Sequence, residues 1–354
     1  MECRDPPAKT QGNSVKARSQ KPASPKRSRI AVAPENSTHR ARKDRELLVV
    51  KRFAHQRYRS YPNVLAVGIG AKFRRLSKAS ASTRKLMDLT CIQFFVTRKR
   101  RTMQSRHRLP GFVYHRLLNG RVDYHRKIPT DVIPVGRIHA ACGAGSNLDS
   151  NADHGLITLI FRNKVEAGKP FYLISCAHVV GDIRRSPPAY EELTSDSSTA
   201  RPFARAMINS TADGGEVAYD IALAKIDDCA LPLEELRIRD ETISLKSFLL
   251  PQSIQQGLGV SAVLRGCSTR GTVDSLDATA TVSYGAETLL VHNLFGVNVT
   301  ASKGDSGGLV YKAAQGVGVV VAASPEGWLW FQPLQSAISF LKDLAPVRIR
   351  VFNP

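Results

Sequence analysis

The chain has 354 residues, about two to three times the size of an ordinary single domain, which excludes one small module. Hydrophobic residues make up 42% and charged residues 23%, which excludes disorder over most of the length. The formal net charge of +21 is unevenly placed: residues 1–140 carry 33 Lys and Arg against 8 Asp and Glu, and residues 141–354 carry 18 against 22, so an anionic partner concerns the first part alone.

Residues 1–45 are rich in Lys, Arg, Ser and Pro and hold too little apolar surface to offset ordering entropy, which predicts a disordered basic tail. Such a tail binds nucleic acid or another anionic surface weakly, through phosphate neutralisation, and it lacks the interleaved aromatics of a stacking platform. No apolar stretch precedes Ile30, so the sequence offers no secretory h-region and a cytoplasmic location is expected.

Residues 46–136 are patterned differently and predict a small accessory domain. Val64–Gly70 and Cys91–Val96 read as strands, Arg98–Arg101 as charge on a loop or strand end, and Ile128–Pro134 as an extended, Pro-bounded linker. His107, His115 and His125 read as basic surface rather than as a ligand set.

From residue 137 to 354 short β-rich runs alternate with turn residues (GLITLIF, FYLISCAHV, IALAKI, VSAVLRG, TATVSYG, LLVHNLF, GLVYKA, GVGVVVA), the texture of a β-barrel or sandwich. Leu334, Ala337, Ile338, Leu341 and Leu344 recur at helical spacing and predict one closing amphipathic helix. The apolar run Val317–Ala323 is too short for a membrane span. The six cysteines show no metal-ligand spacing and read as reduced thiols, Cys176 as core packing, and no metal or cofactor is implied.

Three segments carry chemistry: SCAHV around His178, YDIAL around Asp220 and KGDSGGL around Ser306. A serine hydroxyl is a poor nucleophile at neutral pH and must hand its proton to an imidazole as it attacks a carbonyl, the role assigned to His178. The imidazole needs a buried carboxylate on its other nitrogen, the role assigned to Asp220. Asp220 is preferred over Asp213, Asp227 and Asp228 because it directly precedes the apolar run IALAKI. Glycines beside Ser306 let the backbone turn tightly, so that the N–H groups of Gly304 and Ser306 form an oxyanion hole.

With these anchors (CAH, DIAL and GDSGG) the sequence over residues 137–345 resembles the trypsin-like, chymotrypsin-fold serine peptidases. IPTDVI and VLAVGIG look like the lead-in of bacterial members. The resemblance implies two packed six-stranded antiparallel β-barrels with the triad at their junction, and peptide-bond hydrolysis of a protein or peptide substrate through an acyl-enzyme. It places the pocket floor at Thr300 and the wall at Ala322–Gly327 with Ser324, a neutral pocket suited to a small, polar or apolar residue. Val179 and Ser302 stand where secreted members carry cysteines, and no Ile-Val-Gly-Gly-type N-terminus is present to pair with Asp305, which is expected to bond to local backbone instead.

Two rival readings remain at this level. One is a catalytically inactive trypsin-fold binding protein whose basic N-terminal segment docks on nucleic acid or another anionic partner. The other keeps the peptidase and lets residues 46–136 cover its cleft as a self-inhibiting segment, with Arg98–Arg108 as an easy cleavage target.

Overall fold

The computed structural model describes residues 35–75, 84–99, 105–141, 148–149, 154–162, 170–181, 192–193, 204–210, 212–226, 245–265 and 267–344, and their organisation is mainly β, as expected. Helix α1 (Glu35–Tyr58) begins inside the segment expected as tail, so residues 35–45 are helical; residues 1–34 lie outside the described residues. Its run of Arg, Lys, Glu, Leu and Ala is made of strong helix formers. Val50, Ala54 and Tyr58, spaced four apart on one face, pack against Val67, Ile69, Ile92 and Phe94.

Strand β1 (Val64–Arg75) pairs antiparallel with β2 (Arg84–Val96). Strand β3 (Phe112–Arg116) pairs antiparallel with β4 (Val122–Pro134), and β4 runs parallel to β2 from Thr130 to Pro134. The expected linker is therefore a strand between two partners. Its prolines are tolerated because Pro129 sits where the β3 ladder ends and the β2 ladder begins, and Pro134 closes the strand. His115, expected on the surface, is buried, with its Nε2 3.1 Å from Glu46 of α1.

After β5 (His139–Ala140) and the short pair β6 (Leu148–Asp149) and β7 (His154–Gly155) comes the first sheet. It contains β8 (Leu159–Arg162), β9 (Phe171–Ser175), β10 (Glu192–Leu193), β11 (Ala204–Asn209) and, past β12 (Glu216–Val217), β13 (Ala222–Ile226). Their order is β10-β11-β13-β9-β8.

The larger sheet is built from β14 (Ser247–Phe248), β15 (Gly259–Leu264), β16 (Cys267–Tyr284), β17 (Glu287–Val297), β18 (Leu309–Lys312), β19 (Gln315–Ser324) and β20 (Trp328–Pro333), together with β1 to β5 and β12. Six of these strands pair in a ring, β15-β16-β17-β20-β19-β18, with β18 returning to β15. Alternation shows in β15, where Val260, Ala262 and Leu264 are buried and their neighbours are not. Strand β1 extends this sheet by pairing antiparallel with β16, Ala66 opposite Ala280, so residues 64–134 share a sheet with the ring.

Helix α3 (Leu334–Leu344) closes the fold with Leu334, Ala337, Ile338 and Leu341 buried. Leu344, expected on the same stripe, is exposed. Among the described residues no helix is long and apolar enough to cross a membrane.

Candidate active site

The apolar strand β9 ends at Ser175, and the chain turns through Cys176 into a buried single-turn helix, α2 (Ala177–Val180), which carries His178. Cys176 is fully buried and its thiol donates to Val320 O at 3.1 Å, a packing role as expected. The backbone N–H of His178 donates to Asp220 Oδ1 at 3.2 Å, which fixes the helix to the loop before β13.

Asp220 is almost completely buried, and three donors converge on its carboxylate: the His178 N–H, His178 Nδ1 at 2.5 Å and the Tyr284 hydroxyl at 3.0 Å. Its own N–H donates to Gln332 Oε1 at 2.8 Å, and Gln332 Nε2 in turn donates to Ala218 O and His292 O. A carboxylate only accepts, so Nδ1 carries the imidazole proton and Nε2 turns a lone pair to Ser306 Oγ, 2.9 Å away. The Ser306 hydroxyl is fully buried and also lies 3.1 Å from Val321 O.

The loop that presents Ser306 demands glycine. Gly304 and Gly307 have φ of +97° and +84°, and a Cβ on Gly307 would stand 1.9 Å from Leu156 O. Asp305 accepts from Ser302 N at 2.7 Å, the local backbone bond expected, and also from the distant Arg265 N at 2.6 Å. Leu156 N donates to Ser306 O, and Thr158 Oγ1 donates to Gly307 O. The elbow is thus braced against the segment leading into β8.

The N–H groups of Gly304 and Ser306 point at one oxygen. Both donate to Ala141 O, each at 2.7 Å. Residues 138–141 reach that point as an extended segment: Ser283 N donates to Ile138 O, Ala140 pairs antiparallel with Ala322 and His139 with Ala323, and Ala141 N donates to Val321 O at 3.2 Å. The segment that lies against Gly304 and Ser306 is therefore the stretch just after residues 46–136, where residues 46–136 themselves were expected to cover the site.

Of the expected pocket residues, Thr300 is exposed. Its Oγ1 lies 3.5 Å from where a Cβ on Gly327 would stand. Ser324, at the end of β19 opposite Trp328, is buried, and its hydroxyl has no hydrogen-bond partner among the described residues. Asp213 lies exposed in a turn paired with Glu216, while Asp227 and Asp228 fall outside the described residues. Cys176, His178 and Asp220 offer ligand atoms within 4.8 Å of one another, the one such group among the described residues. Its imidazole Nδ1 and carboxylate already bond each other, which is the arrangement of an oriented base.

Tyr284, Gln332 and Ala141 were not foreseen. No sequence motif marks the first two, which reach Asp220 from β16 and β20 across 64 and 112 residues. Ala141 falls in a run of small residues after an extended segment, a local pattern that does not by itself reveal a distant partner.

No family model and no curated protein matches this sequence. The solved structures that it resembles are chymotrypsin-fold serine proteases. One is a glutamic acid specific serine protease, 18% identical, with 53% of this chain and 96% of that chain covered and a TM-score of 0.38. Another is Thermobifida fusca protease A, 17% identical, covering 56% and 94% with a TM-score of 0.39. A third is a scabies mite inactivated protease paralogue, 18% identical, covering 49% and 83% with a TM-score of 0.32.

Proposed function

We propose that this chain is a serine endopeptidase in which Ser306 is the nucleophile, His178 the general base and then acid, and Asp220 the carboxylate that orients and stabilises the imidazolium. The observation that carries this reading is the unbroken hydrogen-bonded line Asp220–His178–Ser306, beside two N–H groups aimed at a single carbonyl oxygen. As Ser306 Oγ bonds to the carbonyl carbon, its proton passes to His178 Nε2 and the developing oxyanion is held by Gly304 and Ser306 N–H. The proton then goes to the leaving amine, and water repeats the sequence on the acyl-enzyme. No metal or cofactor enters these steps.

The substrate is a protein or peptide that lies antiparallel along β19, as residues 139–140 do. Thr300 and Ser324 are the proposed pocket residues, and neither offers a counter-charge to Lys or Arg. Hydrolysis of peptides carrying Ala or Lys at the cleaved position tests both parts of this reading. The expected result is cleavage after Ala at least tenfold faster than after Lys, lost in Ser306→Ala and reduced at least a thousandfold in His178→Ala. Hydrolysis unchanged by Ser306→Ala contradicts the assignment.

A further inference from the structure

We infer that the peptide bond between Ala141 and Cys142 is cut by Ser306 of the same molecule, so that this chain's first substrate is its own cleft-bound segment. The inference rests on the peptidase reading above and names a substrate for that site. Four contacts hold residues 138–141 as a peptide to be cleaved is held: the two 2.7 Å bonds to Ala141 O, the bond from Ala141 N to Val321 O and the antiparallel register against Ala322 and Ala323. The residue at the cleaved position is alanine, and it is 1% exposed, which agrees with a site for a small side chain.

The segment is delivered rather than captured. Strand β4 is fixed to β2 as far as Pro134, Val135 N donates to Val96 O, and Gly136 N donates to Thr97 O. Gly136 then turns the chain with φ of +68°, and a Cβ there would stand 2.6 Å from Pro325 Cγ. The sheet built by residues 64–134 thereby sets the carbonyl at the nucleophile without a binding step, the condition under which an intramolecular reaction gains most.

In the reaction the Ser306 Oγ–Ala141 C bond forms and the bond to the Cys142 nitrogen breaks, with His178 passing the serine proton to that nitrogen. Water then cleaves the ester, leaving a carboxylate on Ala141 and an amine on Cys142. That carboxylate retains the oxygen already bound by Gly304 and Ser306, so the product stays as an inhibitor until it leaves.

The test is a time course of intact mass and N-terminal sequencing on the full chain, Ser306→Ala and Gly136→Val, at several protein concentrations, with fluorophosphonate labelling in parallel. The wild type should give a fragment beginning Cys142-Gly143-Ala144, at a rate independent of concentration. Ser306→Ala should stay at its full 38.8 kDa, and Gly136→Val should be cut at least tenfold more slowly. Labelling at Ser306 with the 141–142 bond intact overturns this inference and leaves the peptidase reading standing. An intact and unlabelled wild type overturns both. Cleavage that accelerates with concentration, or that persists in Ser306→Ala, also overturns it.

Discussion

Asp220 is held by side chains that no motif announces. Tyr284 fixes the carboxylate oxygen that also binds His178 Nδ1, and its ring meets the imidazole edge-on at a centroid distance of 5.0 Å. Tyr284→Phe keeps the ring and removes one hydrogen bond of about 1 kcal/mol, so kcat should fall about fivefold with KM unchanged. An equal rise in KM would mean that the residue acts on substrate binding instead. Gln332 bonds Asp220 N, Ala218 O and His292 O from a fully buried position. Gln332→Ala strands those groups and should cost about 2–4 kcal/mol in thermal unfolding, measured in the Ser306→Ala background. A loss within about 0.5 kcal/mol would show that the network is not holding the loop.

Among the elements, β16 carries an acid in a buried place. Asp274 is 5% exposed, and burial raises its carboxyl from 3.8 to about 6, partly opposed by the hydrogen bond from Thr272. Between about pH 4 and 6 the folded chain holds a proton there that the unfolded chain has lost, so this contribution to stability falls as pH rises through that window and its cost is complete above about 6. Asp274→Asn should therefore stabilise the protein by roughly 2–3 kcal/mol at pH 7 and by little at pH 4, read from denaturation at the two values. Equal gains at both would exclude the titration as the cause. Strands β1 and β2 and helix α3 were legible because period-2 and helical spacing are local properties. The parallel ladder between β2 and β4 was not, because Pro129 and Pro134 read locally as breaks, and their tolerance depends on which neighbour each half of the strand faces. The burial of His115 escaped notice for the same reason, since Glu46 lies far away in sequence.

At the scale of the molecule, Lys43–Pro354 forms one compact unit. Phe95 of β2 packs edge-on against Trp328 and Trp330, with centroids 5.3 and 4.8 Å away, and β1 pairs with β16. Cleavage after Ala141 should leave the two fragments co-eluting in gel filtration and separating only in denaturant, whereas immediate separation would mean that the β1–β16 ladder does not hold them. The proposed triad was legible because GDSGG, DIAL and CAH each record a local backbone requirement together with a side chain of the needed chemistry. The contact of Ala141 with Gly304 and Ser306 was not, because only long-range pairing brings them together. Whether Ser306 is an activated nucleophile is read most directly by fluorophosphonate labelling of the full chain beside Ser306→Ala, with the modified residue mapped by mass spectrometry. Slow labelling is expected on Ser306 alone, paced by departure of residues 138–141, and none in the variant. A folded wild type that stays intact and takes up no label, or takes it up elsewhere, contradicts the assignment of Ser306.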